Sequence, residues 1–110
     1  MIDAVDPLGR RVTCDDKAWE HICKGHPEFL DPGMPDEVAK AIHEPGFITD
    51  AKQPDRAQAY YIPAPFPYRA TEMVKVAVRL SKKMRGFVMS AYIVTAAPPE
   101  EVVLWRREGK

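Results

Sequence analysis

The sequence predicts one α+β domain in which an N-terminal hairpin and two helices pack on a curved antiparallel β-sheet. Three observations lead there. The chain has 110 residues, enough for one core and too few for two. Its apolar residues recur at helical spacing up to about residue 46 and alternate after it. Proline and glycine clusters divide the chain so that most strands come in one block behind the helices.

Met1 to Val5 and Arg10 to Cys14 flank Asp6-Pro7-Leu8-Gly9, where Pro7 presets the second turn position and Gly9 tolerates the exit of a short hairpin. Asp15 or Asp16 caps a helix from Lys17 to Lys24 whose stripe is Trp19, Ile22 and Cys23, and Gly25 ends it. His26 precedes Pro27 and therefore leaves the helix extended. A second helix runs from about Pro35 to His43 on Val38, Ala41 and Ile42, and Glu44-Pro45-Gly46 stops it. Short strands follow at Phe47 to Asp50 and Ala57 to Pro63, then two Val-rich strands at Thr71 to Leu80 and Phe87 to Thr95, and a last one at Val102 to Arg106.

Composition narrows the class. Hydrophobic residues at 45% and charged residues at 29% exclude a disordered tail, a collagen and a coiled coil. The longest largely apolar stretch, Phe87 to Ala97, is too short and too interrupted to span a membrane. MIDAVDPLGRR has acids where a secretory signal has a basic and then an apolar run, and Cys14 and Cys23 make no disulfide framework, so the expectation is a soluble cytoplasmic protein. Net charge is zero, yet residues 1–55 hold 6 Lys/Arg against 12 Asp/Glu and residues 56–110 hold 10 against 4. That asymmetry points either to a polyanion partner for the basic half or to surfaces that complement each other across the fold.

Alternation along Thr71 to Leu80 sets Val74, Val76, Val78 and Leu80 on a core face and Met73, Lys75, Ala77 and Arg79 on the other. In the next strand it sets Phe87, Met89, Ala91 and Ile93 against Val88, Ser90, Tyr92 and Val94. Pairing Leu80 with Phe87 across a six-residue loop brings Lys75 opposite Tyr92, Ala77 opposite Ser90 and Arg79 opposite Val88. Two cations, a hydroxyl and a phenol then share a face that is either a site or an ordinary solvent surface.

A second constellation is WEHICKGHPE, Trp19 to Glu28. His21 lies off the apolar stripe, His26 lies on the extended exit, and Glu28 follows. The three suit proton transfer, a metal site, or a polar helix end whose histidines cap carbonyls. His-x4-His is a poor metal signal, because five helical residues turn the second ring well away from the first.

The pattern of Trp19, His21-Ile22 and His26-Pro27-Glu28, then Tyr60-Tyr61, Val74-Lys75-Val76, and Gly86-Phe87-Val88 leading into Ser90-Ala91-Tyr92, resembles the phage-associated nuclease-like domains grouped with barnase, EndoU, the tRNase colicins and RelE-type toxins. It spans nearly the whole chain. The resemblance implies helices on a curved antiparallel sheet and a metal-independent endoribonuclease without cofactors, often in toxins or mobile-element proteins. On it, His21 and His26 match the family's histidines, Lys75 its strand lysine, and Ser90 and Tyr92 its small hydroxyl and aromatic. Ser90 stands where Thr is expected. RNA is the implied partner, and for a toxin an antitoxin or immunity protein is another.

The residue types also suit that chemistry in their own right. RNA is cut without a metal when its 2′-hydroxyl attacks the neighbouring phosphorus, forming a 2′,3′-cyclic phosphate, with one group taking that proton and another protonating the departing oxygen. Histidine titrates near neutral pH and serves both roles. Lys75 and Arg79 would stabilise phosphoryl charge, Arg85 in the basic loop Ser81 to Gly86 would hold substrate, and Tyr60, Tyr61 or Tyr92 would stack on an unpaired base. Two further classes fit: a catalytically silent RNA- or protein-binding module of the same fold, and a metal-dependent hydrolase on His21, His26 and Glu28.

Overall fold

The computed structural model of the protein describes residues 1–108. Strand β1 (Ile2–Val5) pairs antiparallel with β2 (Arg11–Cys14). Asp6 closes their turn, its Oδ1 accepting from the backbone N–H of Leu8 at 2.9 Å and of Arg10 at 2.8 Å. Helix α1 (Asp16–Gly25) starts at Asp15, whose carboxylate accepts from the N–H of Ala18 at 2.8 Å. It buries Trp19, Ile22 and Cys23 and leaves His21 exposed. A 3-10 turn (Pro27–Leu30) then carries Phe29 into the core, edge-on to Trp19 with ring centroids 6.1 Å apart. Helix α2 (Met34–His43) buries Met34, Val38, Ala41 and Ile42.

Strands β3 (Phe47–Thr49), β4 (Ala57–Pro63), β5 (Met73–Ser81), β6 (Arg85–Val94) and β7 (Val103–Arg106) complete a seven-stranded sheet in the order β1-β2-β6-β5-β4-β3-β7. Every pairing is antiparallel except β2 with β6, which is parallel over Arg11–Thr13 and Arg85–Phe87. The fold is α+β, with both helices against a sheet curled into a half-barrel. Between helices and sheet lies the core, to which the strands contribute Val12, Ile48, Tyr60, Ile62, Val74, Val76, Val78, Val88 and Ala91. Cys14 and Cys23 are buried free thiols, and burial together with the Asp15 charge pushes the Cys14 thiol up to about 11. No helix is long and apolar enough to cross a membrane.

The β5–β6 hairpin departs from the expected register near its turn. Ser81 pairs with Arg85 across the three residues Lys82, Lys83 and Met84, and Leu80 pairs with Gly86 rather than Phe87. Lys83 (φ 61°) and Met84 (φ 57°) adopt left-handed backbone to turn the chain so tightly. Met89 then bulges, since Val78 faces Val88 while Ala77 faces Ser90. From there outward the expected pairs hold, Ala77 with Ser90 and Lys75 with Tyr92. The bulge overturns the strict alternation read for this strand: Val88 is a core residue, and Phe87 stands opposite Arg79 on the far face. Glycine is required at position 86, where a Cβ would lie 2.7 Å from Val78 Cγ1 and 3.4 Å from the Arg79 carbonyl oxygen. Gly86→Ala is expected to destabilise the fold by about 1–3 kcal/mol through overpacking, seen as a lower urea midpoint at unchanged slope.

Candidate functional site

On the sheet face turned away from the helices, the register lines side chains into rows. Phe47, Tyr61, Lys75 and Tyr92 form one, Thr49, Ala59, Ala77 and Ser90 the next, and Ala57, Arg79 and Phe87 a third. The middle row is small. On the β5–β6 half, therefore, a strip floored by Ala77 and Ser90 runs between the larger pairs Lys75–Tyr92 and Arg79–Phe87. This half is open: Arg79 and Phe87 are exposed, and Ala77, Ser90 and Tyr92 are half-buried.

The β3–β4 half is closed. Residues 95–102, which link β6 to β7 without helix or strand, bring Glu101 down onto it. Glu101 Oε2 accepts from Lys75 Nζ at 2.8 Å, and Oε1 accepts from Thr49 Oγ1 at 2.7 Å and from the Tyr61 hydroxyl. Lys75 is only 7% exposed and Glu101 8%. A lysine buried this deeply demands such a partner, because an unpaired ammonium out of water is far costlier than a paired one. Burial alone would raise the Glu101 carboxyl, yet the hydrogen bonds from Lys75, Tyr61 and Thr49 outweigh it and hold the group below its usual 4.5. Tyr61 moves the other way, its phenol pushed well up by burial and by donating to that carboxylate.

The other end of the Lys75 row meets α1. Strand β2 stops pairing with β6 at Phe87, so among the described residues the rest of that β6 edge has no strand beside it. His26, at the C-terminal cap of α1, stacks there on Tyr92 with ring centroids 5.4 Å apart and planes 24° from parallel. Its Nδ1 lies 3.8 Å from Glu28 Oε2, both side chains about one-third exposed, and Lys75 Nζ sits 5.6 Å from the centre of the same Tyr92 ring. His26, Tyr92 and Lys75 thus form one chain of contacts, with Ser90 in the adjacent row.

His21 makes no hydrogen bond or ion pair among the described residues. Tyr60 is on the helix side, fully buried with its hydroxyl donated to Asp6, and Tyr61 is fully buried under Glu101 with Phe47 stacked on it at 4.5 Å. Neither ring is open to a base, which corrects the expectation that either stacks on RNA. Arg85 is exposed at the hairpin tip on the Arg79 face. Glu101 and Thr49 escaped the sequence reading. A signal for Glu101 existed: a lysine within an apolar strand needs a carboxylate, and residues 56–110 offer only Glu72, Glu100, Glu101 and Glu108.

Compared with protein families, with curated proteins and with solved structures, the chain finds no match in any of the three. The chemistry of the site therefore rests on its geometry. Among the described residues no three His, Cys, Asp or Glu side chains converge in the manner of a metal site.

Removing one member of the buried pair strands the other. Lys75→Met alone is expected to destabilise the protein by about 3–5 kcal/mol, and Lys75→Met with Glu101→Leu by much less, in urea unfolding. The pair also sets the acid limb of stability. Because Glu101 has a lower pKa folded than its ordinary 4.5, its contribution is complete above that value and is lost as the pH falls through the depressed one. A Tm-against-pH curve should accordingly drop less steeply below pH 4.5 in the double variant than in the parent.

Proposed function

We propose that the chain is a metal-independent endoribonuclease that holds single-stranded RNA along the open half of the far sheet face. The observation that carries this reading is the exposed edge of His26 stacked on Tyr92, beside a strip that continues through Ser90 to Arg79 and Phe87. In this reading His26, oriented by Glu28, transfers a proton at the reacting ribose or at the departing oxygen. His21, an exposed imidazole on α1, is the second proton-transfer group. The 2′-oxygen forms its bond to phosphorus as the bond to the 5′-oxygen breaks, leaving a 2′,3′-cyclic phosphate and a 5′-hydroxyl. Arg79 stabilises the phosphoryl oxygens, Arg85 draws the strand in, and Tyr92 and Phe87 stack on bases. Tyr92 is itself steadied by Lys75 over its ring. RNA in the cytoplasm is the substrate, and for a toxin of this kind an antitoxin or immunity protein would cover the same face.

One observation favours a second reading, a catalytically silent RNA- or protein-binding module: Lys75 is buried and neutralised by Glu101 rather than held out to a phosphate. Incubating the purified protein with total RNA in excess chelator separates the two. The nuclease reading expects fragments with cyclic phosphate ends, and a loss of about 10²- to 10⁴-fold in rate for His26→Ala with RNA affinity kept. Cleavage that stops with chelator, or that His26→Ala and His21→Ala leave at the parental rate, overturns the assignment. Arg79→Ala is expected to weaken binding and flatten its salt dependence by about one phosphate contact.

A further inference from the structure

Thr49, Tyr61 and Lys75 come from three neighbouring strands, β3, β4 and β5, and aim three donors at one point. The donors belong to the sheet. What fills the point belongs to a connection: Glu101 lies in residues 95–102, and the N–H of Glu101 bonds only back to the Pro98 carbonyl at 3.0 Å. The strongly anchored residue is the next one, Val102, whose N–H and C=O both bond to Asp50. One carboxylate oxygen accepts from two hydroxyls and the other from the ammonium, the arrangement in which two oxygens of a phosphodiester would also be held. Donors fixed on rigid strands keep their geometry when the occupant changes, which is what a preorganised oxyanion site requires. The point also adjoins the open strip, since Lys75 pairs with Tyr92 and Thr49 shares a row with Ser90.

We propose that Thr49, Tyr61 and Lys75 form an oxyanion site that Glu101 occupies as a built-in competitor, so that a phosphodiester reaches these donors only when the 95–101 segment swings away from its anchor at Val102. The inference rests on the proposed use of this face for RNA, and it adds a regulated phosphate site to that reading. It assigns Lys75 two states, neutralised at rest and phosphate-bound when the segment is withdrawn.

The test needs no RNA. Glu101→Gly empties the site, and sodium formate or inorganic phosphate, with sodium chloride at matched ionic strength as the control, should refill it. Occupancy at a few times Kd raises Tm by about 4–8 °C in a domain of this size. The parent, its site already filled, should rise by much less, and adding Thr49→Val to Glu101→Gly should reduce the gain. Where the glycine variant does not fold, Glu101→Gln keeps the volume and leaves Lys75 uncompensated, and phosphate should raise its Tm more than the parent's. Equal rises in parent and variants, or rises matched by chloride, overturn the proposal. RNA then tests the underlying reading separately. A Glu101→Gln protein that takes phosphate but binds a short single-stranded RNA no tighter than the parent sinks the use of this face for RNA and leaves the anion site standing.

Discussion

The ammonium of Lys75 organises this protein more than any other single group. It is buried on the far face of β5, and a charge there is tolerated only if an opposite charge and further hydrogen bonds are brought to it. The chain satisfies that demand from far away in sequence, with Glu101. Residues 95–102 must then cross the sheet, and β7 follows them to lie beside β3. Strand β4 is buried at every position from Ala57 through Ile62. On one side Tyr60 and Ile62 enter the core beneath the helices, and on the other Tyr61 is capped by Glu101. A strand written AQAYYI is suited to two-sided burial, with small residues where the cover is close and tyrosines whose hydroxyls find Asp6 and Glu101.

A second constraint is the shortness of β2. Four residues leave the far part of β6 without a neighbouring strand, and an uncovered edge is ordinarily an aggregation hazard. Here the end of α1 meets it with His26 on Tyr92. Pro27 matters to that placement, because it forces His26 off the helix and then starts the 3-10 turn. Thus a helix end and a strand edge, neither a site by itself, put an imidazole against the one row of the sheet that also holds a buried ion pair.

Much of this was legible in the sequence, for identifiable reasons. Both helices announced themselves through apolar spacing and through Asp15, Gly25 and Pro35, and β4 ran from Ala57 to Pro63 as its composition suggested. The pairs Lys75–Tyr92 and Ala77–Ser90 followed from keeping charge off the core face. What stayed hidden depended on contacts between distant segments. The Met89 bulge is a compromise between a three-residue turn and the packing of Val88, and no local pattern encodes it. The parallel pairing of β2 with β6 joins residues at opposite ends of the chain. Tyr60 and Tyr61 look alike in sequence, but adjacent strand positions face opposite ways. One tyrosine entered the core under the helices, and the other was capped by a glutamate whose role only the crossing segment reveals.

The pairing of Arg11–Thr13 with Arg85–Phe87, and of Phe47–Thr49 with residues near Arg106, also governs how the chain comes to be folded. Both closures span long stretches of sequence, and such contacts raise contact order and slow folding relative to helical proteins of equal size. On a ribosome adding roughly 5–20 residues per second, the first hairpin is made several seconds before the strand that will hold it. During that interval the hairpin has α2 to pack against β1, but Val12 lacks the β6 strand that pairs beside it. The order of synthesis therefore leaves the inner edge of the first hairpin without its strand neighbour until β6 emerges.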